Sequence, residues 1–308
     1  MSATLVVGCG FIGSHVVREL ARQGRPPTVL TRSRPEEEIA ASISTLHLGD
    51  AADPTIVAAA LEGVDQVAFC AGGLLPAASE RDPERDRELT FGPVQTMLAA
   101  LRQRPEICFG YLSSGGTVYG DPVRLPARED DPTVPISTYG RLHLACEQMI
   151  ERERQEHGLR SRILRCATVY GEHQRPGRGQ GVIATFLDRI ERGQEIDLYG
   201  DGATIRDYVY AGDTARALVA LVDRADCPPL VNVGAGAGTS LLEVLQLVER
   251  ELGREAEIVK HGERDFEVHQ IVLDTSLLHS LIDLSITPLA EGVRRTHEWL
   301  AAIGSEQA

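Results

Sequence analysis

The chain has 308 residues, 43% of them hydrophobic, and a formal net charge of −14. That length can bury a full core, while the acidic balance argues against a nucleic-acid partner, which needs a basic face. No apolar run approaches membrane-spanning length and no basic-then-apolar leader opens the chain, so the expectation is a cytoplasmic protein with no membrane partner.

Thr4 to Val7 reads as a buried strand, and Gly8, Gly10 and Gly13 follow as G-x-G-x-x-G. A helix then opens through Phe11 and Ile12, with Ile12, Val16, Val17 and Leu20 on its apolar face. The first glycine allows a tight turn and the second lets backbone approach a pyrophosphate. The third lets helix and strand pack closely, so the free N–H groups of the helix face the phosphates. Gly8, Gly10, Phe11, Ile12 and Gly13 are therefore the expected phosphate-binding residues of a dinucleotide fold.

Further strands are expected at Thr28–Thr31, Ser44–Leu48, Val64–Cys70, Ile107–Ser113 and Ile163–Cys166. Helical patterns lie between them at Pro35–Ala41, Pro54–Leu61, Pro83–Gln103 and Ser137–His157. This alternation predicts an α/β fold, a doubly wound parallel sheet with right-handed crossovers. Pro35 and the acids Glu36, Glu37 and Glu38 suit the first turn of a helix. After Gly171 the pattern loosens into a Gly- and Arg-rich loop and shorter elements. The expected organisation is a dinucleotide-binding Rossmann domain over residues 1–170 and a smaller α/β substrate lobe over 171–308, with interleaving allowed. The six cysteines lack C-x-x-C spacing and read as small core residues, with no metal site expected. Lys260 is the only lysine; every other fixed cation is an arginine.

Four more segments follow in order: SSGGTVYG (113–120), STYGRLHLACEQ (137–148), LRCATVYG (164–171) and LYGDGATIRDYVYAGDTARAL (198–218). With GCGFIG at the start and PLAEGVRRTHEWL (288–300) at the end, the chain resembles the extended short-chain dehydrogenase/reductase family, in its nucleotide-sugar epimerase/dehydratase branch. The resemblance implies a nicotinamide cofactor, a nucleoside-diphospho-sugar substrate and a Tyr-x-x-x-Lys pair. Its tyrosine is Tyr139, whose phenol would exchange a proton with a sugar oxygen. Relatives also pair through two long helices, matching Pro83–Gln103 and Ser137–His157. A homodimer is thus expected, with Leu142, Cys146, Met149 and Ile150 as an apolar stripe.

The chain departs from the family pattern at several places. Position 143 is His143 where relatives carry lysine, so Tyr139 lacks a nearby fixed cation; histidine can still bond a ribose hydroxyl. Gly115 stands where many relatives place a serine or threonine, leaving Thr117 and Ser114 as candidate hydroxyls, with Thr117 favoured. Gly116 and Thr117 replace an acid pair, which disfavours dehydratase chemistry. Thr90 and Thr168 stand in the places of two family asparagines; Gly115, Gly116 and Thr168 are expected to line the substrate. At the end of the second strand, where NAD enzymes carry an acid, the chain reads Thr31, Arg32, Ser33, Arg34. Arginine forks suit a 2′-phosphate, so NADP is favoured over NAD. Asp50 matches an adenine-contacting residue, with a helix-capping role open beside it. Arg206 matches a diphosphate-binding arginine, and Arg264 is a second candidate from the C-terminal lobe.

The reading from sequence is an NADPH-dependent reductase of a 4-keto nucleotide sugar, with Tyr139 protonating the carbonyl oxygen. Two alternatives stand beside it: an NAD-dependent nucleotide-sugar 4-epimerase, and a non-catalytic cofactor- or nucleotide-sugar-binding protein with a degenerate site.

Overall fold

Short apolar strands joined by amphipathic helices can bury both faces of a sheet only by crossing over it. The computed structural model, which describes residues 2–177, 181–262, 264 and 267–305, realises this arrangement. Its first part runs β1 (Thr4–Val7), α1 (Phe11–Arg22), β2 (Thr28–Thr31), α2 (Glu37–Ala40), β3 (Thr45–Leu48) and α3 (Pro54–Ala60). β4 (Gln66–Phe69), α4 (Pro76–Arg81), α5 (Pro83–Leu101), β5 (Cys108–Ser114), α6 (Gly115–Val118), α7 (Thr138–His157) and β6 (Ser161–Cys166) follow. Then come β7 (Thr168–Tyr170), α8 (Val182–Glu191), β8 (Ile196–Tyr199), β9 (Ile205–Tyr210), α9 (Ala211–Asp223), β10 (Leu230–Val233) and β11 (Gly238–Ser240). The chain closes with α10 (Leu241–Leu252), β12 (Ile258–His261), β13 (Gln270–Ile271), α11 (Ser276–Leu281) and α12 (Leu289–Ser305).

The main sheet has seven parallel strands in the order β10-β6-β5-β4-β1-β2-β3. Strand order therefore reverses between β1 and β4, and the crevice beyond their C-terminal ends is where such sheets take ligands. One face packs Val57, Val94, Met97, Leu101, Cys146 and Ile150 from α3, α5 and α7. The other packs Val16, Val17 and Leu20 of α1 against Leu218 and Val222 of α9. A separate core under β8 and β9 joins α8, α10 and α12 through Ile183, Leu187, Val244, Val248 and Val293. β9 pairs with β7, β11 and β13, and β8 with β12.

α9 and β10 return to the main sheet, an interleaving of the two parts that the sequence reading allowed. Burial decides this, because Leu230, Val231 and Val233 cover the free edge of β6. α2 begins at Glu37 rather than Pro35, and Glu36 instead binds Arg175 at 2.5 Å and His173 Nδ1 at 3.2 Å. The stripe on α7 is also not an open face: Cys146 and Ile150 are wholly buried within the chain's own core, and Met149 packs against it. Among the described residues, no helix is long and apolar enough to cross a membrane.

Candidate active site

Two of the three glycines of the first turn are fixed by space. A Cβ on Gly8, whose φ is +86°, would lie 2.7 Å from the Ala71 backbone. One on Gly13 would lie 1.9 Å from the Gly8 carbonyl oxygen, so α1 touches the turn only because both residues lack side chains. Gly10 instead faces open space, with nothing within 4 Å of its Cβ position. An open approach to the unpaired N–H groups of a helix, at the point where strand order reverses, fits a dinucleotide's pyrophosphate. Ile12 packs into the core below, and Phe11 lies edge-on to His15 with centroids 6.2 Å apart. At the end of β2, Arg32 and Arg34 are exposed, and among the described residues neither has an ion-pair partner. Asp50 is exposed after β3 and accepts from the Ala52 N–H at 2.9 Å; Asp53 is the residue that caps α3.

Tyr139 sits on the first turn of α7, and its position is secured from both sides. Ser137 caps the helix by accepting from the Gly140 N–H at 3.0 Å, a contribution of about 1 kcal/mol. Glu80 of α4 accepts from the Thr138 N–H and hydroxyl, tying the helix start to its neighbour. Further along α7, buried Glu147 accepts from Ser113 Oγ at 2.5 Å and from Arg165 Nη2 at 2.7 Å. These bonds lock α7 against β5 and β6. They also fix the height of Tyr139 and of His143 one turn on.

The Tyr139 and His143 rings meet with centroids 4.4 Å apart at 56°. His143 is 8% exposed, and its Nδ1 lies 3.1 Å from the Tyr111 hydroxyl on β5. Burial pushes its imidazole down to about 4, against a partial offset from the Asp86 carboxylate, so the ring is neutral at pH 7. The Tyr139 phenol is pushed up by burial and further by Asp86 and the Cys166 thiol. Asp86 on α5 is 1% exposed and accepts from the Leu74 N–H at 2.7 Å and Thr90 Oγ1 at 3.0 Å. Thr90 is thus a partner of this carboxylate.

Ser114 ends β5 and is half-buried; Thr117, on α6, donates to the Ser114 carbonyl at 3.3 Å. The Thr117 carbonyl would lie 2.9 Å from a Cβ on Gly140, so α6 abuts the start of α7. Gly115 is buried, and a Cβ there would lie 2.7 Å from Leu273 and 2.9 Å from the Arg165 carbonyl. Gly115 is therefore a close-packing position with little room for a larger side chain. Gly116 is half-buried and faces Thr168, whose Oγ1 is 3.8 Å from the Gly116 Cβ position. Arg206 on β9 donates to the carbonyls of Ile205 at 3.0 Å and His269 at 3.4 Å. Arg264 lies 3.4 Å over the Tyr199 ring and binds Glu267 at 2.9 Å. Glu267 also acts on Arg206 through space, so one carboxylate serves both arginines.

Asp86 and Tyr111 were not read as site residues from the sequence. Asp86 carried a signal, an acid four residues before the threonine in an asparagine's place, which puts both on one helix face. Tyr111 carried less: a polar-tipped ring inside the apolar run CFGYL.

A model of the NAD dependent epimerase/dehydratase family matches residues 4–234, and the chain belongs to that family. It is accordingly an NAD(P)-dependent enzyme of the extended short-chain dehydrogenase/reductase type. The fold is similar to a UDP-glucose 4-epimerase of Thermotoga maritima solved with UDP-glucose, at TM-score 0.91 and 29% identity over 98% of this chain and 99% of that one. It is also similar to a UDP-glucose 4-epimerase of Thermus thermophilus solved with NAD, at TM-score 0.89 and 30% identity over 97% and 99%. A dTDP-4-dehydro-6-deoxy-D-allose reductase of Streptomyces bikiniensis is 27% identical over 96% of this chain and 95% of its own.

Proposed function

We propose that the chain is an NAD-dependent epimerase that inverts C4 of a nucleoside-diphospho-hexose, a uridine-diphospho-sugar in the first instance. The observation that carries this reading is the likeness, over nearly the whole chain, to UDP-glucose 4-epimerases. It supports the epimerase better than the reductase favoured from sequence.

In this reading Tyr139 takes the proton of the C4 hydroxyl and later returns it, with the Thr117 or Ser114 hydroxyl holding the same oxygen. The bound dinucleotide supplies reversible hydride acceptance at that carbon. Gly8, Gly10, Phe11 and Gly13 hold its pyrophosphate at the α1 N-terminus, and His143 bonds its ribose. Gly116 and Thr168 line the sugar, while Arg206 and Arg264 supply the local cations that a dianionic diphosphate needs in an acidic protein. A homodimer through α5 and α7 belongs to the same reading.

Purified protein incubated with UDP-galactose and no added cofactor should form UDP-glucose, and its denatured supernatant should contain NAD. Consumption of NADPH with a 4-keto nucleotide sugar, and no interconversion, would establish reduction instead. That second reading is favoured by the exposed Arg32 and Arg34 and by a Tyr139 phenol held in its protonated form. Failure to bind either dinucleotide would leave the non-catalytic binding protein.

A further inference from the structure

His143 stands one helical turn from Tyr139, and its Nδ1 faces the hydroxyl of Tyr111 at 3.1 Å. A neutral imidazole has one donor and one acceptor nitrogen, and the bond made by one decides the role of the other. A phenol is the stronger donor and an unprotonated imidazole nitrogen the stronger acceptor, which favours the Tyr111 hydroxyl donating to Nδ1. Cys146, one turn beyond His143 on α7, is a further titratable group beside Tyr111. Asp86 from α5, Glu147 and Tyr139 from α7 and Cys166 from β6 are the other titratable groups around this cluster. The Tyr111 ring is held rigidly, stacked on Phe109 at 6.4 Å and tilted on Phe69 at 6.1 Å. Among the described residues, Nε2 has no hydrogen-bond partner.

We propose that Tyr111 is a positioning residue that fixes His143 as its Nε2–H tautomer, so that a neutral donor aimed at a nicotinamide ribose hydroxyl stands where relatives carry a lysine. The proposal rests on the reading that His143 lies against the cofactor. It explains how a neutral ring can do part of a cation's work: orientation is retained, and only the charge is lost. Without Tyr111, the imidazole would be free to turn its unprotonated nitrogen toward an acceptor.

The test is ¹⁵N NMR of histidine-labelled protein without substrate, which reads the two ring nitrogens separately. The His143 signals, assigned by their loss in His143→Gln, should show a protonated Nε2 and an unprotonated Nδ1. Tyr111→Phe keeps the ring and removes the bond, so it should give a mixed or reversed tautomer. It should also weaken NAD binding about fivefold, the worth of one neutral hydrogen bond. Protonated Nδ1 in the wild type, or an unchanged tautomer in Tyr111→Phe, would overturn the proposal. The tautomer is read without turnover, so a wild type that binds NAD but does not epimerise would sink the functional reading alone. If Tyr111→Phe does not fold, the wild-type spectrum still decides.

Discussion

Tyr139 and His143 face each other at 4.4 Å across one turn of α7, and the buried carboxylate of Asp86 acts on both. A neutral imidazole in that place gives the phenol no electrostatic help, and the carboxylate opposes its ionisation. His143→Lys should therefore lower the Tyr139 pKa, because a cation within a few ångströms favours the phenolate. The pH optimum of turnover should move to lower pH, with activity kept or raised. A shift to higher pH would show that position 143 does not act on Tyr139.

Tyr139→Phe should reduce turnover by about 10²- to 10⁴-fold, the usual worth of a positioned acid/base group, with cofactor affinity within a few-fold of wild type. The ring still packs on His143, so binding is spared. Near-normal turnover would move the proton transfer to another group.

Arg32 and Arg34 are exposed at the end of β2, where an adenosine ribose would lie. Replacing both with Ala should weaken NADPH binding by roughly 2–4 kcal/mol, two charge-assisted bonds, and leave NADH binding nearly unchanged. Equal losses in fluorescence titrations of the two cofactors would show that neither arginine meets a 2′-phosphate.

Burial holds His15 and His143 each down to about 4. Between about 4 and 6.5 the unfolded chain then binds more protons than the folded one, so stability falls as pH drops through that window. Asp207 works in the opposite sense. Burial raises its carboxyl to about 6 against three backbone donors, so its contribution falls as pH rises from about 4 to 6. His143→Gln, which cannot titrate, should shrink the drop in Tm between pH 7 and pH 4.5. An unchanged drop would mean that His143 is not buried in neutral form.

Much of the architecture was legible because it follows from local rules. The β2 segment Thr28–Thr31 occupies the predicted range, and α7 starts one residue inside its own, at the Ser137 cap. Period-two and period-3.6 apolar patterns fix such elements before any tertiary contact forms. The glycine turn was legible too, since a Cβ at Gly8 or Gly13 would strike backbone. α4 was missed because PAASER has no apolar periodicity, and its placement comes from Glu80 holding the start of α7.

The crossover sheet, the glycine turn and the pairing of positions 139 and 143 could be read along the chain, because each depends on residues a few places apart. Tertiary structure alone decided the electrical character of the site. Asp86, Tyr111 and His143 lie on three different elements, and burial holds Tyr111 and His143 in their neutral forms. It alone decided, too, that β10 returns to the main sheet and that Gly115 must remain small against Leu273 and the Arg165 carbonyl. Spacing along a chain fixes which side chains share a face; how deeply that face is covered depends on elements far away in sequence.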